Sequence, residues 1–298
     1  MTTELIVTRG QGAPKNTRRG PVSGRRARAW NQILVYALLA VYGIVSLYPF
    51  LWMISASLKD SHEIVFNPNL IPDNPTLNTL IDTWQRLDFF AFFTNSVIVT
   101  GATTIGVIVV YSLASYAFGV ISFRGRTALY RFFLVLLFVP AVTVLLPVVL
   151  LEKQLGILGT HFGLILPFIN GTAPLSILIL TAAFQSVPRE LREAALMDGA
   201  GEWRIFASIY VPVIRPSLIT VALLTAIPTW NEYLLTSVSI NKEELYTLPL
   251  GLRGLQSGAI LEYNTLMAGA LIVVIPVIIA FIALQRYFVN GLTGALKG

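Results

Sequence analysis

The sequence has 298 residues, of which 55% are hydrophobic and only 12% are charged. Soluble domains carry roughly 25% charged residues, so the composition excludes an ordinary water-soluble globule. The absence of cysteine excludes disulfides and thiolate sites, and the net charge of +6 lies beside apolar runs, which favours a role in membrane orientation over nucleic-acid binding.

The N-terminal segment, residues 1–32, is rich in Gly, Pro and Arg and carries seven basic residues against the single acid Glu4. Such a stretch buries too little apolar surface to fold. We expect a disordered, basic cytoplasmic tail that helps to orient the chain; a contact with nucleic acid or lipid headgroups is the alternative.

Apolar runs of about 20 residues recur along the rest of the chain, and each is long enough to cross a hydrocarbon core about 30 Å thick. The alternation of a membrane barrel is not visible. The sequence therefore predicts an all-α polytopic membrane domain over residues 33–289, with six transmembrane helices. The predicted spans cover residues 33–54, 92–121, 129–151, 162–184, 217–238 and 266–289.

The distribution of basic residues predicts the orientation of these spans. With the N-terminus inside, 16 of the 21 Lys and Arg residues lie on the cytoplasmic side, as the positive-inside rule requires. Both termini are then cytoplasmic, including a C-terminal tail over residues 290–298. The extracytoplasmic loops are residues 57–91 and 239–265.

The loop between the fourth and fifth predicted spans, residues 188–212, is the longest polar stretch between spans on the cytoplasmic side. Pro188 suits a first helical turn, and the residues after it are good helix formers. Asp198 and Gly199 predict a turn, followed by a second short helix over residues 200–209. An amphipathic connector lying on the lipid headgroups is one interpretation of this pattern.

A second interpretation is a docking site for a partner. Ala194 and Ala195 leave one helix face with little bulk, so that another backbone can approach closely. Glu193 offers a charge to that partner. The loop also resembles the EAA loop of ABC importer permeases, with Val211 where the family usually has Leu. The matching residues are Glu193, Ala194, Ala195, Asp198, Gly199, Ala200, Ile209 and Pro212.

This resemblance implies that the loop forms a coupling helix, which sits in a groove of a separate ATPase. It also implies that Glu193 contacts a basic partner residue and that Gly199 makes the turn. The chain has no G-x-x-x-x-G-K-[ST] phosphate loop. We therefore expect no catalytic site and no enzyme activity in this chain, with ATP and Mg bound by the partner ATPase. The two histidines, His62 and His161, are far apart in sequence and predict no metal site.

The C-terminal segment resembles that of carbohydrate importer permeases, in particular the smaller subunit of the maltose-type pair. Residues 203–206 and 230–233 resemble the same branch, and the resemblance covers nearly everything from the first span onward. It implies a tail at the ATPase interface, with Gln285, Arg286, Gly291 and Lys297. It also implies a loop that contacts a binding protein, although an ordinary loop over the pore mouth is the alternative. The loop residues are Leu248, Pro249, Gly251, Gly254 and Gly258.

Residues 230–233, which read Trp230, Asn231, Glu232 and Tyr233, also have a physical interpretation. In a continuous helix, Glu232 lies about 24 Å beyond Pro216, in the outer part of the bilayer. A carboxylate there is costly and faces a partner or a water-filled path. We expect these residues to line the pathway or a gate. A hydrogen bond that only orders the span, or a span that ends earlier, is the alternative.

Together the resemblances imply the type I ABC importer permease fold and a permease subunit that moves a sugar or oligosaccharide. The implied partners are a second permease, two ATPase subunits, an extracytoplasmic substrate-binding protein and the lipid bilayer, with no nucleic acid. Three alternatives remain open: a permease of the same fold for another solute such as a glycerophosphodiester, an ion-coupled secondary transporter, and an integral-membrane enzyme.

Overall fold

The computed structural model describes residues 23–67, 69–86, 88–254 and 263–295. Throughout these residues the regular structure is helical and contains no strand, which confirms the all-α prediction. The helices are α1 Ser23–Ser57, α2 Ser61–Phe66, α3 Asn78–Arg86, α4 Phe89–Gly119, α5 Arg126–Val135, α6 Leu145–Gln154, α7 His161–Gly171, α8 Ala173–Gln185, α9 Arg189–Met197, α10 Glu202–Ile205, α11 Val211–Val213, α12 Arg215–Trp230, α13 Leu234–Ser239, α14 Leu248–Gly254 and α15 Tyr263–Ala295.

The chain divides into two units, residues 1–51 and 52–298. The described part of the first unit is the larger part of α1. This helix begins at Ser23, so the last ten residues of the predicted N-terminal tail are helical. Arg and Ala, which dominate the start of α1, are strong helix formers. Residues 1–22 of the predicted tail lie outside the described residues.

The described helices give three candidate spans, or six, the predicted number, if each of three bent helix pairs is one span. The apolar stretches 32–57, 89–119 and 263–283 lie in single helices that are long enough to cross a membrane. Three further candidates are bent helix pairs, of which the third begins within the predicted cytoplasmic loop over residues 188–212. The bends are 98° between residues 126–138 and 141–154, 49° between 161–171 and 173–185, and 77° between 202–213 and 215–230.

A proline lies at or next to each break. Pro140 is at the first break, Pro174 in the first turn of α8, and Pro216 in the first turn of α12. Proline lacks the N–H that continues a helix and disfavours helical geometry in the residue before it. A long apolar run can therefore contain two helices that differ in direction, as the bends of 98° and 49° show.

The prediction of one continuous helix over residues 217–238 is wrong. Helix α12 ends at Trp230, and α13 begins at Leu234 after a short turn. Pro228 lies in the last turn of α12 and weakens its hydrogen-bond ladder. The position of Glu232 must therefore be taken from the turn, not from a helix projection.

Helix α4 is the centre of the second unit and contacts α7, α8, α12 and α14. Its buried face carries Val107, Tyr111 and Tyr116, which join a core that includes Ile177 and Phe184 of α8. Many apolar side chains elsewhere on these helices are exposed. In a membrane protein, such surfaces face lipid or a neighbouring chain.

Candidate functional site

The loop over residues 188–212, called the coupling loop below, has the helix–turn–helix form that its sequence predicts. Helix α9 ends in a left-handed residue, Gly199, with φ of +77°. The N–H of Ala200 bonds the carbonyl of Ala195 at 2.9 Å, and the N–H of Gly199 bonds that of Leu196 at 3.0 Å. This pair of bonds is the Schellman arrangement that terminates helices at glycine.

The second helix of the coupling loop differs from the predicted range of 200–209. It begins with α10 at Glu202 and continues through a π-helical turn, Phe206–Tyr210, into α11. The N–H of Val211 bonds the carbonyl of Phe206, while Pro212 has no N–H to continue the ladder. The first half of the loop therefore ends at a Gly turn, while the second passes through Pro212 and ends with α11 at Val213.

The matching EAA-loop residues point in two directions. Ala195, Ala200 and Ile209 are half-buried and pack against the core of the second unit. Glu193 and Ala194 are exposed. The prediction that Ala194 and Ala195 share one bare face is therefore wrong, because successive residues of a helix are about 100° apart.

Large apolar side chains accompany Glu193 on the outside of the loop. Met197 is 89% exposed and Trp203 is 73% exposed, and Leu191 and Leu196 are also accessible to solvent. An apolar patch of this kind beside a charged residue is typical of a protein interface. The exposed surface of the loop is suited to a partner chain.

A cluster of three residues, called the clasp below, fixes the coupling loop to the second span. The phenol of Tyr116 in α4 donates to Oε2 of Glu202 at 2.7 Å. The guanidinium of Arg192 in α9 pairs with Oε1 of the same carboxylate. Helices α4, α9 and α10 therefore meet at one acidic side chain.

The pKa shifts within the clasp favour the charged forms of Glu202 and Arg192. The hydrogen bond from Tyr116 and the charge of Arg192 lower the pKa of Glu202, although partial burial opposes them. The hydrogen bond to Glu202 raises the pKa of Arg192. The carboxylate and the guanidinium are thus both held in their charged forms, and charge-assisted hydrogen bonds are the stronger class.

Aromatic packing surrounds the buried end of the clasp. The ring of Tyr116 lies edge-on to those of Phe184, Phe206 and Tyr210, with centroid distances of 5.5, 5.2 and 5.2 Å respectively. Edge-to-face pairs are worth about 0.5–1.5 kcal/mol each beyond burial. This packing ties the π-helical turn of the loop to α4 and α8.

Our reading of the sequence missed the clasp. Tyr116 and Glu202 are 86 residues apart, and Arg192 and Glu202 are ten residues apart across the turn, so no helical i, i+4 spacing relates them. The one available signal is the opposite charge of Arg192 and Glu202 on two helices that a tight turn brings together.

The four residues over 230–233 do not form one site. Trp230 is buried, donates from Nε1 to the carbonyl of Val273 in α15 at 3.1 Å, and packs edge-on against Phe93. Asn231 is exposed and bonds its own helix. Tyr233 contacts the guanidinium of Arg253.

Glu232 caps the first turn of α13. Its Oε1 accepts from the N–H of Leu235 at 2.8 Å, and its Oε2 accepts from the N–H and the hydroxyl of Thr236 at 3.1 and 2.8 Å. The carboxylate also lines a mostly apolar cavity of about 290 Å³, together with Thr172 and Pro228. The hydrogen bond that orders the span, left open by the sequence, is present.

The start of the loop predicted to contact a binding protein is folded inward as α14. Leu248 and Gly251 are buried, and a Cβ on Gly251 would lie 2.3 Å from the ring of Phe92. Ser96 accepts a hydrogen bond from the N–H of Leu248 at 2.8 Å. Leu248 and Gly251 therefore support the loop from beneath and do not form its outer surface.

Asn95 fixes the same loop to α4, donating to the carbonyls of Glu244 and Tyr246 at 2.8 and 3.0 Å. Pro249 is half-buried and Gly254 is exposed, while Gly258 lies outside the described residues. A contact of the outer part of this loop with a binding protein stays a prediction.

The residues predicted at an ATPase interface lie at the end of the chain. Gln285, Arg286 and Gly291 lie in α15, which continues helically through most of the predicted tail over 290–298. Lys297 lies outside the described residues. Their role also stays a prediction.

Comparison with known proteins places the chain among transport proteins. Residues 111–294, more than half of the chain, match the family described as "Binding-protein-dependent transport system inner membrane component". The probable ABC transporter permease protein YurM of Bacillus subtilis (strain 168) is 32% identical over 285 residues, covering 93% of each chain. The trehalose/maltose transport system permease protein MalG of Thermococcus litoralis is 32% identical over 278 residues, covering 92% of this chain and 99% of the relative.

A solved structure has the same fold. It is the crystal structure of a bacterial ABC transporter involved in the import of the acidic polysaccharide alginate, and one of its chains matches with a TM-score of 0.78 and 24% identity. The match covers 88% of this chain and 98% of that chain. On the sequence matches, this chain belongs to the family of binding-protein-dependent transport system inner membrane components.

Proposed function

We propose that this chain is the permease subunit of an ATP-driven importer of a sugar or oligosaccharide, and that its coupling loop docks a separate ATPase. The observation that carries the proposal is the coupling loop itself, whose exposed face presents Glu193 and Met197 while the clasp holds its inner face. Such a surface binds a partner and transmits that partner's movement to α4.

The names of several relatives support a carbohydrate substrate. They include the galactooligosaccharides transport system permease protein GanQ of Bacillus subtilis (strain 168) and the lactose transport system permease protein LacG of Rhizobium radiobacter, which are 32% and 30% identical to this chain. A relative with the same fold can still carry another solute, so the choice of sugar belongs to the proposal. Membership of a binding-protein-dependent family leaves the ion-coupled alternative without support.

The proposed complex contains a second permease, two ATPase subunits that bind ATP and Mg, and an extracytoplasmic substrate-binding protein. Both termini of this chain lie in the cytoplasm, as the distribution of basic residues indicates. The tail carrying Gln285, Arg286, Gly291 and Lys297 reaches the ATPases. Pro249, Gly254 and Gly258 lie in the loop on the opposite side, where the binding protein docks.

In this scheme the ATPases close on ATP and move the coupling loop. The clasp passes the movement to α4, which contacts α7, α8 and α12. The broken helices then change from an inward-facing to an outward-facing arrangement, because the ATP-bound ATPase favours one of two conformations. Of the residues over 230–233, Glu232 is the candidate for the pathway, since it alone of the four lines the cavity near the breaks.

Single-cysteine cross-linking tests the docking proposal, because the natural chain has no cysteine. Glu193→Cys and Met197→Cys should form disulfides with an ATPase cysteine placed in its groove, within the assembled complex. The exposed Val238, at the end of α13, supplies the control Val238→Cys, which should not cross-link. Equal cross-linking of all three variants would contradict the docking assignment.

A ligand screen tests the substrate. The cognate binding protein, identified by co-purification with the complex, should bind a mono- or oligosaccharide and stimulate its uptake by proteoliposomes. Binding of a glycerophosphodiester in place of a sugar would overturn the substrate assignment and leave the docking proposal intact.

A further inference from the structure

A cavity of about 430 Å³ lies beneath the coupling loop, where α4 and α8 end and α5 and α9 begin. Its apolar part is formed by Phe184, Val187 and Tyr210. Its polar part contains three arginines, Arg126, Arg189 and Arg192. The volume is within the range of small-ligand sites, which is about 300–1,000 Å³.

The three guanidinium groups have unused hydrogen-bond donors. Arg126 donates from one Nη to the carbonyl of Ile121 at 3.3 Å, and Arg192 gives one Nη to Glu202. The Nε of Arg192 is buried and has no hydrogen-bond partner among the described residues. Each guanidinium carries five N–H donors, and the bonds to Ile121 and Glu202 engage one Nη each of Arg126 and Arg192, which leaves further N–H groups on both side chains for a ligand.

The charge of the cavity is predominantly positive. Its lining carries three arginines against one acidic residue, Glu193. Glu202 offsets part of the charge of Arg192 but does not line the cavity. Arginine binds carboxylate and phosphate through two parallel hydrogen bonds, and it is favoured where an anion is recognised in a partly buried place.

The depth of the cavity favours phosphate as the anion. The cavity lies where the apolar helices α4, α5 and α8 meet the polar coupling loop, a boundary that the predicted spans place at the level of the lipid headgroups. Basic pockets at this level bind the phosphates of anionic lipids. Glu193 lines the cavity and also belongs to the exposed face proposed for the ATPase, whereas Ala194 and Met197 lie outside the lining, so the cavity adjoins that face.

We propose that this cavity binds a phosphate ester, held by Arg126, Arg189 and the free edge of Arg192. The phosphate comes from an anionic lipid headgroup or from a soluble phosphate monoester, since both present the same group. Because Arg192 belongs to the clasp, the bound phosphate braces α9 against α4 and sets the rest position of the coupling loop. This binding site does not depend on which solute is transported.

Direct binding to the full-length chain in its assembled complex tests the proposal. The probes are dioctanoyl phosphatidylglycerol, glycerol 3-phosphate and, as a phosphate-free control, dioctanoylglycerol. Native mass spectrometry and a competition titration give the affinities. Arg189→Gln should weaken binding by about tenfold, the value of one lost charge-assisted hydrogen bond, and Arg126→Gln with Arg189→Gln should weaken it further.

Arg204→Gln is the matched control, because Arg204 is an exposed basic residue of the same loop and lies outside the cavity lining. It should bind the probes like the parent. If the double variant unfolds, Arg189→Lys replaces it, since lysine keeps the charge and loses the two-pronged geometry. Several-fold weaker binding is then expected.

The arms of the experiment separate the two sources. Binding of the lipid probe without competition by glycerol 3-phosphate assigns the site to a headgroup, and competition assigns it to a soluble ester. Equal affinity of parent and double variant, or equal binding of dioctanoylglycerol, overturns the proposal. It is also overturned if no phosphate probe binds the assembled complex.

Discussion

The phenol of Tyr116 donates a 2.7 Å hydrogen bond to the carboxylate of Glu202 and so joins the middle of the fold to the coupling loop. The other oxygen of that carboxylate holds Arg192. The carboxylate is therefore the shared acceptor of donors from α4 and α9. Directional hydrogen bonds of this kind limit the sliding of one helix along another, whereas apolar contacts alone permit it.

Removal of the phenol from Tyr116 tests whether the clasp transmits movement. Tyr116→Phe keeps the aromatic packing and leaves Glu202 paired with Arg192. We expect a loss of stability of about 1 kcal/mol, because the lost bond involves a charged but partly exposed acceptor. We also expect more ATP hydrolysed per solute imported, measured on the complex in proteoliposomes.

Tyr111→Phe provides the matched control in the same helix. The hydroxyl of Tyr111 donates to the backbone carbonyl of Ile169 at 3.1 Å and does not contact the coupling loop. A similar loss of stability with unchanged coupling is expected. If both variants uncouple transport equally, the clasp has no special part in transmission.

Acidic pH should loosen the coupling loop through Glu202. The pKa of this carboxyl is lowered in the folded chain by the Tyr116 hydrogen bond and the Arg192 charge. Its stabilising contribution is therefore complete above the ordinary carboxyl pKa, about 4.3, and is lost as the pH falls through the lowered folded value. Amide hydrogen exchange of α9 and α10, corrected for intrinsic rates, should accelerate over that range.

Glu202→Gln is the control for the pH effect, because a neutral amide cannot titrate. Its loop should exchange faster at neutral pH and show a flatter dependence on acid. An unchanged dependence in this variant would assign the titration to another group and leave the clasp without a role in it.

The local features of the coupling loop could be predicted from the sequence, because neighbouring residues determine them. Gly199 ends the first helix whatever the rest of the fold does. The clasp could not be predicted, since Tyr116 becomes a neighbour of Glu202 only after α4 and α10 have packed. The motif also could not predict that Ala195 packs against the core while Ala194 is exposed. It fixes the spacing of the residues but not the direction in which the core lies.

The broken spans show a second limit on what the sequence can predict. Hydropathy reports that a segment is apolar and gives no direction, so 33–54 and 129–151 look alike although the second contains a bend. Pro140 carried the signal for that bend, but a proline within an apolar run is compatible with a kinked helix as well as a broken one. The two halves of this span pack against different partners, α5 against α8 and α6 against α13, and this packing decides between the two outcomes.

Substitution of Gly199 tests the turn between α9 and α10. A β-branched side chain is strained at φ of +77°, by about 1–3 kcal/mol. Gly199→Val should abolish uptake while the protein still inserts into the membrane, as judged by its amount in membrane fractions. Gly199→Asn should retain partial uptake, because Asn tolerates left-handed geometry.

The neighbouring Gly201→Ala is the control for Gly199. Gly201 has an extended conformation, with φ of −74°, and an added Cβ meets no atom within 4 Å. Near-normal uptake is expected. A loss of uptake equal to that of Gly199→Val would mean that the loop tolerates no change at all, and the geometric argument would lose its support.

Gly251 tests the seating of α14 on α4. A Cβ at this position would lie 2.3 and 2.5 Å from two ring atoms of Phe92, so Gly251→Ala forces the ring to move. Overpacking of this kind costs about 1–3 kcal/mol, which thermal unfolding of the detergent-solubilised complex can detect. Gly254→Ala, with open space around the added Cβ, should unfold like the parent.

A second substitution checks the cause assigned to Gly251→Ala. Phe92→Leu removes the ring atoms that the new methyl group meets, so the double variant should be more stable than the sum of the two single effects predicts. Strict additivity would show that the methyl group acts elsewhere. Binding-protein affinity should follow the same order if α14 supports the outer docking surface.

Glu232 provides the last test, because its carboxylate both caps α13 and lines a cavity. Glu232→Ala leaves the N–H groups of Leu235 and Thr236 without their acceptor and should cost about 1 kcal/mol, as a lost helix cap does. Glu232→Gln keeps one acceptor oxygen and removes the charge. If capping is the main role, the Gln variant should unfold and transport nearly like the parent, while the Ala variant is less stable and slower.

If the charge of Glu232 serves the translocation pathway, we expect a different pattern of transport rates. Both variants would then be slow, and the Gln variant would be slow in spite of near-parental stability. Thr236→Val separates the two cases further, because it removes a hydroxyl donor to Glu232 at 2.8 Å and keeps the carboxylate in place. Parental transport in Thr236→Val together with slow transport in Glu232→Gln would assign the carboxylate charge to the pathway, and parental transport in both would assign the carboxylate to the cap.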